Sequence, residues 1–192
     1  MKNVALVISS GGARGLAAIG IIEELEKKGY HISSVAGCSI GSLIGGMYAS
    51  GNLSKFKNWI LSLDKKQVFR LMDFTISHQG ILKGDKVFNE IKTIFKDVAI
   101  ENLPIPYSAV AVDLISHKEF VFRSGSLFNA IKASSSIPSI VKPIKLNNKI
   151  LVDGGIINPL PLSNVQRIKN DILIGIDLNS FETSHEKRKE NY

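Results

Sequence analysis

Cysteine is almost absent from this chain: Cys38 is the single thiol among 192 residues. One cysteine cannot form an internal disulfide, and its use is typical of a protein in a reducing compartment. Long apolar runs are also missing. None approaches the roughly 18 residues that a membrane-spanning helix needs, and Val4 to Ile8 is too short for the apolar part of a secretory signal. We therefore expect a cytoplasmic protein, with any membrane contact peripheral and at the inner face.

Acidic residues are scarcer than basic ones, with 17 Asp and Glu against 24 Lys and Arg and a formal net charge of +7. The sequence has no RNA- or DNA-binding motif, so we expect no nucleic-acid partner. The basic surplus has two interpretations, a solvated face or a surface attracted to anionic lipid head groups. Much of it comes from Lys55, Lys57, Lys65, Lys66 and Arg70, and from Lys142, Lys145 and Lys149.

Alternating apolar strands and amphipathic helices predict an α/β fold. The run Val4 to Ile8 is typical of a strand covered on both faces, and Leu16 to Lys28 carries a helical stripe that Gly29 ends. A strand around Val35 completes a right-handed β-α-β unit. We expect one domain over residues 1–179, a three-layer α/β/α structure with a mostly parallel central sheet, and a polar, flexible tail over 180–192.

The pentapeptide Gly37-Cys38-Ser39-Ile40-Gly41 lies between this second strand and a helix of small residues. A serine at such a strand-to-helix turn forms a nucleophile elbow, with the positive end of the helix dipole beside it. Gly37 and Gly41 are expected to keep side chains away from the hydroxyl. Ser39 is therefore the candidate nucleophile. Cys38 invites a thiol mechanism, but a small buried residue is the better interpretation.

The glycine-rich loop from Ser10 to Gly15 has two interpretations. Consecutive glycines let backbone N–H groups approach an anion closely. A dinucleotide pyrophosphate is one such anion, but the Gly-x-Gly-x-x-Gly frame begins with Ser10, and no acidic residue ends the second strand. An oxyanion is the other. Because the loop and the elbow end neighbouring parallel strands, we expect them side by side at one sheet edge.

Asp153 ends a predicted strand and precedes Gly154 and Gly155. It is either a turn former or, if it meets Ser39 in space, a base. A serine nucleophile commonly uses a histidine, but His185 lies in the charged tail and His31 at the opposite sheet edge. Histidine is therefore expected to take no part in the mechanism, which leaves a Ser-Asp dyad.

The remaining segments predict further elements. The longest helix, over 52–74, contains Trp59 and has two interpretations, core packing or a cap whose apolar side lines an acyl pocket or touches lipid. A turn over 80–85 precedes another helix, with Asp85 as its cap. Also predicted are helices over 86–95, 127–133 and 159–168, a hairpin of 107–114 with 119–123, a hairpin of 140–146 with 149–152 around Asn147-Asn148, and a last strand over 171–178.

Four motifs, in their order and spacing, resemble the patatin-like phospholipases: GGARG at Gly11 to Gly15, GCSIG at Gly37 to Gly41, ASSSIP at Ala133 to Pro138, and DGG at Asp153 to Gly155. GILKGD at Gly80 to Asp85 is similar to a turn in bacterial members of that family. The resemblance extends to about Leu178. It implies a patatin-like fold and a lipid acyl hydrolase, acting on lipid or fatty-acyl esters without a cofactor or a metal.

The resemblance also assigns roles to residues. It implies Ser39 as the nucleophile, Asp153 as its base, and the backbone N–H groups of Gly11, Gly12 and Ala13 as the oxyanion hole. Arg14 is the family's basic residue in that loop, where it would steady the loop or contact a phosphate. The motif glycines are Gly15, Gly37, Gly41, Gly154 and Gly155.

Ser10 is the one clear departure, because it stands where the family's glycine run usually begins. If that position needs a backbone angle open only to glycine, the oxyanion hole is distorted and activity is reduced. Together with the short chain, Ser10 supports a second hypothesis, a catalytically weak lipid- or acyl-binding regulatory protein with the same fold. The glycine loop alone supports a third, a nucleotide-binding α/β domain.

Overall fold

A computed structural model describes residues 2–64, 66–67, 85–138 and 140–180. Helices in this part of the chain are α1 (Leu16–Lys27), α2 (Ile40–Ala49), α3 (Leu53–Ser62), α4 (Asp85–Ile94) and α5 (Leu127–Ser134). Strands are β1 (Lys2–Ile8), β2 (Tyr30–Cys38), β3 (Tyr107–Asp113), β4 (Lys118–Phe122), β5 (Ile144–Leu146), β6 (Lys149–Asp153) and β7 (Ile172–Ile176). Short 3₁₀ turns occupy Gly12–Gly15, Ile100–Asn102, Gly154–Ile156 and Leu162–Asn164.

All the described strands belong to one seven-stranded sheet. Its central strands β7, β1, β2 and β3 run parallel, with Ile8 paired to Gly37 on one side and to Ile176 on the other. The loops after β1 and β2 therefore leave the sheet side by side, as the sequence predicts.

Strand β3 brings β2 and β6 together end to end. One edge of β3 is occupied by β4 over residues 109–113. The other edge pairs first with β2, as far as Cys38 opposite Val110, and then with the antiparallel β6, from Asp153 opposite Ala111. Because Val110 and Ala111 are adjacent in the chain, the C-terminal ends of β2 and β6 face each other.

Alternate side chains of β1 belong to two apolar clusters, one on each face of the sheet. Val4, Leu6 and Ile8 join the main core, to which each described helix contributes side chains. On the opposite face, a smaller cluster of Ala5, Val7 and Ala36 is covered by Val165 and Leu160. The predicted α/β class, a central sheet flanked by helices, is confirmed.

Helix α3 packs into the core. Phe56 is buried, and its ring lies 5.7 Å from that of Trp59 and 6.2 Å from that of Phe95 between centroids. Core packing is thus the right interpretation for the buried face of α3. The helix is nevertheless shorter than the predicted 52–74, because it ends at Ser62.

A capping box explains this early end. The N–H of Asp64 donates to the Gln67 side chain at 2.8 Å, and the N–H of Gln67 donates to the Asp64 carboxylate at 2.7 Å. This reciprocal pair marks the start of a new helix, so α3 cannot continue through it. Residues 68–84, which include most of the predicted Gly80 to Asp85 turn, lie outside the described residues, as does the side chain of Asp85.

The helix predicted over 159–168 is wrong. The structure has only the 3₁₀ turn Leu162–Asn164 there, with the N–H of Asn164 donating to the Pro161 carbonyl at 3.0 Å. Proline disfavours the helical conformation at the residue before it, so Pro159 and Pro161 together exclude an α-helical start.

The second hairpin forms as predicted between β5 and β6. Its turn residues Asn147 and Asn148 have φ of 44° and 61°, a conformation that asparagine tolerates. Among the described residues, none of the helices has the length and apolar character to cross a membrane. The predicted tail lies almost wholly outside the described residues, which end at Ser180.

Candidate active site

Ser39 forms a sharp turn between β2 and α2. Its φ of 54° and ψ of −125° are sparsely populated for a residue with a side chain, and it caps the N-terminus of α2. Ser134 holds this conformation: its hydroxyl accepts a hydrogen bond from the Ser39 N–H at 2.9 Å and donates to the Val110 carbonyl at 2.6 Å. The sequence contained Ser134 in the ASSSIP motif but gave no sign of this role.

Gly37 and Gly41 are required by packing around this turn. A Cβ on Gly37 would overlap the backbone of Gly41, and a Cβ on Gly41 would overlap the carbonyls of Ile8 and Ser9. The glycines therefore let β2, α2 and the end of β1 approach within backbone contact. Their role differs from the predicted one, which was to clear space around the hydroxyl.

The glycine loop lies against this elbow. A Cβ on Gly15 would overlap the side chain of Ile40, the residue after Ser39. Gly12 has a φ of 57°, which favours glycine, whereas Gly11 at 169° is extended. Gly11 is required for another reason, because its Cβ would lie 2.6 Å from Cβ of Leu178.

Ser10 does not distort the loop. Ser10 is not among the described residues with positive φ, so its backbone is not in a conformation that favours glycine. Its N–H donates to the Pro159 carbonyl at 2.8 Å. The expected penalty for replacing a glycine at this position therefore has no backbone cause in the structure.

Asp153 ends β6 directly beside the elbow, where the nearby Ser39 hydroxyl lowers the pKa of its carboxyl. Its Oδ1 accepts a bond from the Gly155 N–H at 2.7 Å and a longer one from Cys38 Sγ at 3.8 Å. Asp153 is 5% exposed. Burial raises the pKa of its carboxyl above the ordinary value, although the Ser39 hydroxyl, the Gly155 N–H and the Cys38 thiol act in the opposite direction.

The DGG motif touches the other two motifs through its glycines. A Cβ on Gly154 would lie 3.1 Å from Cys38 Sγ, and a Cβ on Gly155 would lie 3.1 Å from Cβ of Ser10. The structure thus brings the glycine loop, the elbow and the DGG motif together in one place.

Cys38 is fully buried, as expected. Burial, followed by the charge of the neighbouring Asp153, raises the pKa of its thiol, which therefore stays protonated at neutral pH. A protonated thiol is a poor nucleophile. Cys38 instead donates a weak hydrogen bond to the carboxylate, a contact that the sequence did not indicate.

Arg14 and Asn179 are hydrogen-bonded to each other and to the glycine loop. The Asn179 Nδ2 donates to the Ser10 carbonyl at 2.7 Å, while its Oδ1 accepts from Arg14 Nη2 at 2.7 Å. Arg14 Nε donates to the Gly11 carbonyl at 3.3 Å. Asn179 follows the last strand and gave no signal in the sequence, where it stood at the border of the expected tail.

The described histidines lie away from these contacts. His31 is at the start of β2, whereas Ser39 follows its end, and His117 belongs to the turn between β3 and β4. His78 and His185 lie outside the described residues. In the described part of the chain, His, Cys, Asp and Glu side chains form no group of three or more that could hold a metal ion.

Comparisons with known proteins agree on the family and the fold. A family model described as patatin-like phospholipase matches residues 6–165. An uncharacterized NTE family protein of Mycobacterium tuberculosis is 43% identical over 180 residues, covering 94% of this chain and 50% of the relative. The patatin-like phospholipase domain-containing protein 6 of Mus musculus is 32% identical over 186 residues, covering 93% of this chain and 14% of the relative.

A solved structure supports the fold independently. The chain matches VipD from Legionella pneumophila with a TM-score of 0.55 at 16% identity, covering 89% of this chain and 48% of that one. This chain spans about half the length of its mycobacterial relative. Since the family model covers most of the chain and the fold is the same, the chain belongs to the patatin-like phospholipase family.

Proposed function

We propose that this protein is a carboxylic ester hydrolase acting on lipids in the manner of a phospholipase A, with Ser39 as nucleophile and Asp153 as base. The observation that carries the proposal is the placement of the elbow beside the buried Asp153, since β2 and β6 end at adjacent residues of β3, together with the raised pKa of that carboxyl. A carboxyl with a raised pKa is a stronger base than a free one, and it needs no intervening histidine to reach the hydroxyl. Relatives named as patatin-like phospholipases support a lipid substrate.

The reaction has two acyl-transfer steps. Asp153 takes the Ser39 proton while Oγ bonds to the ester carbonyl carbon. The tetrahedral intermediate then expels the alcohol part of the lipid, whose oxygen takes that proton back from Asp153. A water molecule then attacks the acyl-enzyme, with Asp153 again accepting the proton. Collapse breaks the bond to Oγ and releases the fatty acid, and Asp153 returns the proton to the serine hydroxyl.

The negative oxygen of each intermediate needs fixed donors. We assign this role to the backbone N–H groups of Gly11, Gly12 and Ala13, because their loop lies against Ile40 at the N-terminus of α2. The dipole of α2 adds positive potential at the same place. Neither the hydroxyl nor the loop needs a metal or a cofactor for this chemistry.

A covalent probe tests the nucleophile. We expect a fluorophosphonate to label Ser39, as located by peptide mass spectrometry, and Ser39→Ala to abolish labelling. The variant should also lower kcat for fatty-acid release from phosphatidylcholine by about 1000-fold or more. Ser50→Ala, at the other end of α2, is the matched control and should keep full labelling. A folded protein that takes no label would instead support the catalytically weak regulatory protein.

An apolar groove beside the site is suited to an acyl chain. It has a volume of about 140 Å³, lies between α1 and α3, and begins at Leu16, which directly follows the glycine loop. Its wall includes Leu61, whose side chain is exposed. We expect Leu61→Lys to lower kcat/KM for long-chain p-nitrophenyl esters more than for the acetate. Ile168→Lys, another exposed apolar position, should leave the chain-length profile unchanged.

The surface next to Asp153 is suited to an anionic membrane. Ile137 follows Ser136, whose carbonyl accepts the Asp153 N–H at 2.9 Å, and Ile156 follows Gly155. Both isoleucines are exposed, and the exposed Lys142 lies a few residues further along the chain. We expect cosedimentation with phosphatidylglycerol vesicles but not with pure phosphatidylcholine, and weaker binding in Ile137→Ser/Ile156→Ser. Equal binding to both kinds of vesicle would exclude the role of charge.

A further inference from the structure

Two carbonyl oxygens of the glycine loop accept side-chain hydrogen bonds from Asn179 and Arg14. The Ser10 carbonyl also accepts a bond from the Ser9 hydroxyl at 2.7 Å, and the Gly11 carbonyl one from the Arg14 N–H at 3.3 Å. Asn179 Nδ2 binds the carbonyl of Ser10 at 2.7 Å, and Arg14 Nε binds that of Gly11 at 3.3 Å. The two side chains are joined by the bond from Arg14 Nη2 to Asn179 Oδ1 at 2.7 Å. Asn179 also contacts the Ser10 hydroxyl at 3.3 Å. We call this Arg14–Asn179 arrangement the clamp.

Because peptide bonds are planar, the clamp can fix the direction of backbone N–H groups. In a trans peptide the C=O of one residue and the N–H of the next lie in one plane and point in opposite directions. Fixing the Ser10 carbonyl therefore fixes the Gly11 N–H, and fixing the Gly11 carbonyl fixes the Gly12 N–H. These are two of the three donors assigned above to the oxyanion hole.

Glycine makes such a device necessary. With no Cβ, Gly11 and Gly12 have more conformational freedom than other residues, so their peptide planes are not fixed by local sterics. An oxyanion hole works because its donors already point at the place where charge develops. Side chains that hold the carbonyls supply the orientation that the glycines lack.

The segment that carries Asn179 is itself fixed against the loop. The Leu178 N–H donates to the Ser9 hydroxyl at 2.8 Å, and the Leu178 side chain packs on Gly11. The N–H of Asn179 donates to the Asp177 carboxylate at 2.9 Å. Asn179 thus holds the loop from a segment anchored to β7, a different strand from the one that leads into the loop.

From this geometry we infer that Asn179 is a positioning residue, which acts through Arg14 and the Ser10 carbonyl to aim the N–H groups of Gly11 and Gly12 at the reacting carbonyl oxygen. The inference rests on the proposed hydrolase function. It also gives Arg14 the task of supporting the loop, so the guanidinium is engaged with protein groups and not with a substrate phosphate.

Two substitutions at residue 179 test whether the amide donor of Asn179 orients the glycine loop. Asn179→Ala removes the side-chain bonds to the Ser10 carbonyl, the Ser10 hydroxyl and Arg14. We expect kcat to fall about 10- to 100-fold, which is less than the loss from deleting an oxyanion donor outright, while KM changes less than about 2-fold. Asn179→Asp keeps an acceptor for Arg14 but places a carboxylate oxygen against the Ser10 carbonyl. It should therefore fail to restore kcat. Ser180→Ala, the next side chain, is the control and should behave as wild type.

A double-mutant cycle tests whether the two residues act as one unit. We expect Arg14→Ala/Asn179→Ala to lose little more kcat than either single variant, because each change already releases the clamp. The acid limb of the pH–rate profile should stay in place in all these variants, since none alters the surroundings of Asp153. Additive losses in kcat, or a rise in KM for charged phospholipids in Arg14→Ala alone, would overturn the inference.

Amide hydrogen exchange gives a measure that does not depend on activity. We expect peptides over residues 9–16 to exchange at least about 10-fold faster in Asn179→Ala than in wild type, with the same Tm. Unchanged exchange together with unchanged kcat would refute the clamp. If wild-type protein hydrolyses no ester, the proposed function fails, and the exchange of this loop alone decides whether Asn179 holds it.

Discussion

Asp113 and Asp153 are neighbouring carboxylates with opposite properties. They end the paired strands β3 and β6, two register positions apart, and are 2% and 5% exposed. A hydrogen bond from the Ser116 hydroxyl, at 2.7 Å, is the main cause that lowers the pKa of Asp113 to about 2. Burial is the main cause that raises the pKa of Asp153.

The difference shows that covering a carboxylate is not the same as burying it deeply. Asp113 is covered by its own turn, whose residues 114–117 are all exposed, so little protein lies beyond it. The N–H groups of Ile115 and Ile150, both at 3.2 Å, also stabilise its charge. Asp153, the last residue of β6, lies beside the end of β2 and the glycine loop. There the effect of desolvation on its pKa outweighs the opposite effect of its hydrogen-bond donors. The surroundings of Asp113 stabilise its ionised form, whereas those of Asp153 make its carboxylate a stronger base.

The largest expected effect is a difference in kcat between variants of the two carboxylates. Asp153→Asn removes the base and should lower kcat by about 1000-fold or more. Asp113→Asn changes a structural carboxylate and should lower kcat by less than about 3-fold when measured on folded protein. Comparable losses in the two variants would mean that Asp153 also acts only through structure.

Stability should respond to Asp113 in a pH-dependent way. Its folded-state pKa of about 2 lies below the usual unfolded value of about 3.9, so the carboxylate stabilises the fold above that value and this contribution is lost as pH falls toward 2. Asp113→Asn should therefore lower Tm at pH 7, with a difference from wild type that shrinks below about pH 4. Thermal unfolding followed by circular dichroism measures this, and a constant difference across pH would contradict it.

Stability should respond to Asp153 with the opposite sign. Its pKa is raised in the folded state, so the ionised group costs stability at neutral pH, and that cost disappears as pH falls through the raised value toward the unfolded one. We expect Asp153→Asn to keep or raise Tm at pH 7 and to lose this advantage in acid. A Tm well below that of wild type at pH 7 would show that the carboxylate is structurally required.

The smallest expected effect concerns Cys38. Its thiol donates to Asp153, and this bond lowers the pKa of the carboxyl. Cys38→Ala should therefore raise that pKa further and move the acid limb of the kcat/KM profile to higher pH. Cys38→Ser keeps a donor and should move the limb back. A limb that stays fixed in both variants would place the titration on another group.

Local signals in the sequence were enough to predict the elements around the site. The glycines around Ser39 indicated its turn, and Asn147-Asn148 indicated the hairpin that delivers Asp153. The failures also have local causes, since the capping box at Asp64 and Gln67 ends α3, and Pro161 prevents the helix predicted after it.

Contacts between distant segments could not be predicted from local patterns. That β6 would occupy the same edge of β3 as β2 depends on strand pairing, which no single segment encodes. The same is true of Asn179, which lies 169 residues from Ser10 in the chain and looked like the start of a polar tail. Ser134 was visible within a motif, but its bond to the Ser39 N–H depends on where α5 packs against β3.

The pH dependence of Ser39 labelling tests the central claim most directly. The rate of fluorophosphonate labelling, measured by intact-protein mass spectrometry, should fall in acid along a limb that lies above the ordinary carboxyl pKa, and Asp153→Asn should label far more slowly at every pH. Labelling of Asp153→Asn at the wild-type rate with an unchanged acid limb would show that a group other than Asp153 activates Ser39.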